Sequence, residues 1–140
     1  MRTTLKNAVF PAACIVILAA LSSSCHESFE ERCQREAREH TEKYCPQPID
    51  LYQTLDSMTF CRQPMGFNYY YSMSGLMDND SIYNDEAAMI DIKQNMIQSL
   101  KTNISLRSYI ERSFTFTYYY YSSTDGTPFA TIVLKPEDYQ

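Results

Sequence analysis

Two short tyrosine runs constrain this chain more than anything else in it. Tyr69–Tyr70–Tyr71 sits inside the segment Phe67–Ser74, and Tyr118–Tyr119–Tyr120–Tyr121 sits inside Phe114–Tyr121. Aromatic residues favour extended backbone, where successive side chains leave on opposite faces. Phe67, Tyr69, Tyr71 and Met73 therefore share one face, against Asn68, Tyr70, Ser72 and Ser74. Phe114, Phe116, Tyr118 and Tyr120 alternate in the same way with Thr115, Thr117, Tyr119 and Tyr121. In both segments the phenylalanine-bearing face is the one that must be core. With twelve tyrosines and no tryptophan, the chain carries most of its aromatic surface in these strands.

Each tyrosine segment has a partner. Residues 51–61 precede the first, across Arg62–Gln63–Pro64–Met65–Gly66, a turn signal with Pro and Gly. After the second comes the turn dipeptide Asp125–Gly126, then Ala130, Ile132 and Leu134 alternating with Thr131, Val133 and Lys135. The expectation is two hairpins, 51–74 and 113–135. Residues 76–83 are polar and read as a loop. A helix over 84–102 follows, with Asn84 as its N-cap and Met89, Ile92, Met96, Ile97 and Leu100 as its buried stripe.

Upstream, residues 27–44 form an amphipathic helix. Phe29, Cys33, Ala37, His40 and Tyr44 fall on one stripe, and Glu31–Arg35 and Glu39–Lys43 are i,i+4 pairs. Pro46 and Pro48 end it. The fold class is then α+β: this helix, followed by β-β-α-β-β as a four-stranded antiparallel sheet with one helix packed on a face. Whether the leading helix covers the other face, covers an edge or stands off as a stalk is open at this level.

Residues 1–25 read differently. Arg2 and Lys6 precede an apolar run, Ala8–Leu21, that is shorter than the roughly 20 residues a membrane span needs. Small residues follow, Ser22–Ser23–Ser24, and then Cys25. This is the layout of a secretory signal peptide. A small-residue string ending at a cysteine resembles the lipobox of bacterial lipoproteins. The resemblance implies removal of residues 1–24, diacylglycerol and an acyl chain such as palmitate on Cys25, and a tether at 25–26 leading into one small domain, 27–140. It also implies a Gram-negative cell envelope, where His26 rather than Asp after the lipidated cysteine favours the outer membrane. The periplasmic or surface face is open. Anchoring of this kind is durable, at about 0.8 kcal/mol per buried CH₂. Cleavage by the general signal peptidase, giving a soluble secreted product, is the alternative.

Charge and composition narrow the function. The formal balance is −5, and removing Arg2 and Lys6 with the signal takes it to −7. A duplex-binding protein needs a basic face, so no nucleic-acid partner is expected. Three glycines are too few for a phosphate-binding loop beside ordinary turns, and no cofactor is expected. Cys33, Glu36 and His40 lie on nearby turns, but no C-x-x-C or H-x-x-x-H accompanies them, and no metal is expected. Cys45 and Cys61 are the geometrically easier disulfide pair; the other reading is that the cysteines are small buried apolar residues.

No serine or cysteine sits in a nucleophile elbow, so the expectation is no catalytic residue and no enzyme. What remains is Tyr70, Tyr119 and Tyr121, on the face away from the phenylalanines among Asn68, Ser72, Thr115 and Thr117. They read either as an aromatic platform for another envelope protein or a glycan, or as strand-building residues paired across the sheet. The leading expectation is a lipid-anchored envelope protein that binds or scaffolds another envelope component. A small secreted or anchored enzyme acting on an envelope polymer is the competing class, since any two of the seventeen acids could converge.

Overall fold

The computed structural model describes residues 26–140. The signal segment, the lipobox-like serines and Cys25 lie outside the described residues. The domain is α+β, in the order α1 (Phe29–Tyr44), β1 (Gln47–Pro48), β2 (Gln53–Arg62), β3 (Met65–Met73), α2 (Asp80–Tyr83), α3 (Glu86–Thr102), α4 (Arg107–Ile110), β4 (Thr115–Ser122), β5 (Pro128–Leu134) and α5 (Pro136–Tyr139). No helix among the described residues is long and apolar enough to cross a membrane.

The sheet has five strands in the order β1-β2-β3-β4-β5, and it is mixed. This corrects the expected four-stranded antiparallel sheet in two ways. The first concerns β1, which adds a fifth strand through Gln47↔Leu55 and Pro48↔Thr54. A two-residue strand carries no periodicity to detect, and its proline is tolerated because it lies on an edge. The second concerns β3 and β4, which run parallel, with Phe67↔Phe116 and Tyr71↔Tyr120 in register. Alternation fixes which face a side chain takes but not which way the strand runs. The chain between β3 and β4 carries α2, α3 and α4 back across the sheet, and a crossover of that kind delivers a parallel neighbour.

Local chemistry sets the element boundaries. α1 begins at Phe29 because Ser28 is its N-cap. The Ser28 backbone N–H donates to Glu31 Oε2 at 2.8 Å, and the Glu31 N–H donates to Ser28 Oγ at 3.1 Å. With Glu31 used in that box, Arg35 turns instead to Glu27 at 2.8 Å and Glu39 at 3.4 Å, while Lys43 reaches Glu39 at 3.7 Å. The expected loop 76–83 contains α2. The next helix is capped one residue later than expected, by Asp85, whose side chain accepts from the Ala88 N–H, rather than by Asn84, and it runs from Glu86.

α1 does not stand off. Cys33 and Ala37 are buried, Phe29 meets Phe114 edge-on at 5.9 Å, and the helix lies along β2. Its Thr41 hydroxyl accepts from the Met58 N–H at 2.8 Å and donates to the Met58 C=O at 2.9 Å, closing backbone groups of β2 beyond the reach of β1. The core lies between the helices and one sheet face. Phe67, Phe114, Phe116, Leu134 and Cys33 are its fully buried members. α5 seals one end of it: Tyr139 is buried, and its hydroxyl donates to the Phe114 carbonyl.

Candidate binding surface

The sheet register sorts the tyrosines. Tyr69↔Tyr118 and Tyr71↔Tyr120 belong to the core face, and Tyr70↔Tyr119 and Ser72↔Tyr121 to the opposite one. Among the described residues no helix packs over that second face. Apart from Thr115, which is buried at one end, side chains across it stay half-buried or exposed, from Thr59 on β2 to Thr131 and Val133 on β5. The structure thus brings Tyr70, Tyr119 and Tyr121 together on an open sheet.

Tyr70 and Tyr119 stack face to face, with centroids 4.9 Å apart and planes within 9°. Parallel pairing sets them side by side, and the pair is directly opposed rather than diagonal. Tyr121 lies two residues further along β4, and partial burial together with Tyr70 and Tyr119 raises its hydroxyl above the ordinary tyrosine range. Small polar groups surround the rings. Ser72 Oγ donates to Asp56 Oδ1 at 3.1 Å, and Asn68 Nδ2 donates to Thr59 Oγ1 at 3.4 Å. Toward the end of β4 nearer its start, the face dips into a groove of about 530 Å³ lined by Thr117, Tyr119, Thr131, Val133 and the prolines Pro64 and Pro136. Flat aromatic surface beside hydroxyls and a shallow groove suits a ligand that presents one apolar face and a polar edge.

The remaining candidates have other roles. Glu36 accepts a 2.5 Å hydrogen bond from the Tyr109 hydroxyl and pairs with Arg32 at 3.6 Å, and His40 packs on Tyr44 with centroids 5.2 Å apart. Of these, the Glu36–Tyr109 bond, with buried Cys33, docks α1 on the domain, while the Arg32 and Tyr44 contacts lie within the helix. Of the two readings of the cysteines, the structure does not bring the possible pair Cys45 and Cys61 together: Cys33, Cys45 and Cys61 are free thiols. Cys61 pairs with Gly66 at the turn end of the β2–β3 hairpin, whereas Cys45 adjoins Asp56 and Tyr71 at the other end. The five-residue step from Gly66 to Tyr71 along β3 covers about 16 Å, well beyond the roughly 7 Å limit for disulfide Cα atoms.

Reading the strands by alternation assigns Tyr71, Tyr118 and Tyr120 wholly to the core and misses a second cavity above them. The available signal was their chemistry: a tyrosine in a phenylalanine row brings a hydroxyl that needs a partner.

A small α+β domain with helices on one sheet face and a tyrosine-bearing face left open is the class that fold and surface define. Residues 28–129 match a family described as a domain of unknown function, DUF8479, and the chain belongs to that family. No curated protein matches it. Among solved structures it is similar to the 1.60 Å crystal structure of a candidate secreted protein of Pseudomonas aeruginosa, with a TM-score of 0.63 and 13% identity, covering 79% of this chain and 92% of that one. At that identity the likeness is one of fold.

Proposed function

We propose that this is a non-enzymatic, lipid-anchored cell-envelope protein that holds a neighbouring envelope component, protein or glycan, on its open tyrosine face. The observation that carries the reading is the stacked Tyr70–Tyr119 pair, with Tyr121 beside it, on a sheet face that no helix of the described chain covers. The address comes from the N-terminal segment: a short apolar run with two cations before it and Cys25 after it. The fold's likeness to a candidate secreted protein supports an extracytoplasmic site of action. His26 after Cys25 favours the outer membrane. A lipid on Cys25 keeps the domain within reach of envelope components despite its acidic charge.

The anchor and the face are tested separately. Mass spectrometry of the mature protein is expected to show Cys25 as an acylated N-terminus, and Cys25→Ser is expected to release the protein from the membrane fraction. An unmodified N-terminus at another residue removes the anchor. For the face, crosslinking and recovery from intact envelopes is expected to yield a partner with the wild-type chain and none with Tyr70→Ser/Tyr119→Ser. Equal recovery by both removes the platform. Hydrolysis of an envelope glycan or peptide by the purified chain, with no partner recovered, favours an enzyme instead.

A further inference from the structure

On the core side of the sheet, α3 does not close completely over the strands. A cleft of about 520 Å³ remains between the helix and the sheet, within the roughly 300–1,000 Å³ range of small-molecule sites. Tyr71, Tyr118 and Tyr120 form its floor, Ile92, Met96 and Leu106 its apolar wall, and Asn95, Ser99, Asn103 and Gln53 its rim. None of its lining side chains is charged, in a chain where 21% of residues are.

The floor is a row of phenols on edge. Tyr71 stacks on Tyr118 with centroids 6.4 Å apart and on Tyr120 at 5.6 Å, with planes within 13° and 17°. Side chains in a sheet stand roughly perpendicular to it, so stacked rings present their hydroxyl tips rather than their faces to the space above. The Tyr120 hydroxyl reaches only Met96 Sδ at 3.9 Å, a weak acceptor. Among the described residues no protein group accepts from the Tyr71 or Tyr118 hydroxyl, and neither hydroxyl is a sealed, unpartnered atom of the kind that the Tyr83 hydroxyl is. Donors are therefore available at the cleft floor, without a cation or carboxylate to balance a charged guest.

We propose that this cleft is a binding site for an uncharged amphiphile of drug-like size, which lays its apolar side on Ile92, Met96 and Leu106 and accepts hydrogen bonds from Tyr71 and Tyr118 through a carbonyl, ester or ether oxygen. A charged ligand would be stripped of water there with no counter-charge in return. A purely hydrocarbon guest would leave two phenol donors unpaired, which is costly once the cleft is dry. The site is independent of the open tyrosine face, since the two lie on opposite sides of the sheet.

Nile red, an uncharged dye with a carbonyl and a ring oxygen, serves as the probe in a fluorescence titration of the mature full chain. Saturable binding is expected. Ser99→Trp, which places an indole in the cleft from an exposed position on α3, is expected to weaken it at least about tenfold. Tyr71→Phe and Tyr118→Phe leave the rings in place and are each expected to weaken it about fivefold. The anionic dye 8-anilinonaphthalene-1-sulfonate is expected to bind at least about tenfold less tightly than Nile red. Absent saturable binding, or binding that all three variants leave unchanged, overturns the site. Equal binding of the two dyes overturns the uncharged class of ligand. If Ser99→Trp does not fold, the two phenylalanine variants decide alone.

Discussion

The two faces of one sheet carry the same residue in neighbouring positions and use it differently. Tyr69, Tyr71, Tyr118 and Tyr120 point at helices; Tyr70, Tyr119 and Tyr121 point away from them. Burial raises the pKa of the first four, to about 12 for Tyr71 and further for the others. Cross-strand stacking is shared, at 5.1 Å for Tyr69–Tyr118 and 4.9 Å for Tyr70–Tyr119. Stacking is therefore a property of the strand register, while burial is a property of what lies above it. A tyrosine run in a sequence announces the first and leaves the second undecided.

The largest expected effect follows from the phenylalanine row. Phe116 is fully buried beside Phe114 and Tyr139. Phe116→Ala is expected to cost about 3–5 kcal/mol, a large share of the roughly 5–15 kcal/mol that holds a domain of this size folded. Denaturant unfolding followed by circular dichroism measures it. A loss below about 1 kcal/mol would show that the face assigned as core is not packed, and the contrast between the two faces would fail.

Alkali probes the same contrast through charge. A tyrosine whose folded pKa lies above its unfolded value of about 10 binds its proton longer in the native state. Stability is then unaffected below pH 10 and falls as pH rises from 10 through the folded pKa. With the pKa values of Tyr69, Tyr71, Tyr118 and Tyr120 all raised, the domain is expected to lose stability steeply above pH 10. Their ionisation, read as tyrosinate absorbance, is expected to coincide with unfolding. Tyr71→Phe removes one titrating group and is expected to make the alkaline loss shallower. A core-face phenol that ionises at pH 10 in the folded protein would break the comparison.

How much of this was readable in the chain depends on the range of the cause. The strand faces were legible because alternation is local: Phe67 and Phe116 announce the core, and Asn68 and Thr117 the opposite side. The helix at 84–102 was legible to within a residue or two for the same reason, and its start shifted only because Asp85 competed successfully with Asn84 for the cap. Strand direction was not legible, since Tyr118 has the same neighbours in sequence whether β4 runs parallel or antiparallel to β3. β1 escaped because Gln47 and Pro48 pair only once β2 is in place. The open face was identified by its residue types, but its openness depends on α1 choosing the β2 edge, a choice made by Thr41 and Met58 seventeen residues apart. The cleft over Tyr71 and Tyr118 arises from how α3 sits on the sheet, which no single stretch of sequence encodes.

The smallest expected effect is the most informative about function. Tyr119→Thr puts a strand-favouring β-branched residue in place of the ring that stacks on Tyr70. A cross-strand pair on a solvent-facing sheet contributes about 0.2–1 kcal/mol, so thermal unfolding is expected to shift by a few degrees at most. If Tyr119 served only to build the strand, the variant would be slightly less stable and otherwise equivalent. If the open face holds a partner, recovery of that partner from intact envelopes is expected to drop while the fold is retained, because aromatic anchors dominate interface energetics. Tyr71→Phe on the opposite face is the matched control: it alters a tyrosine of the same strand pair and is expected to leave partner recovery unchanged. A loss of recovery in both variants would trace the effect to the stability of the sheet and not to the chemistry of its open side.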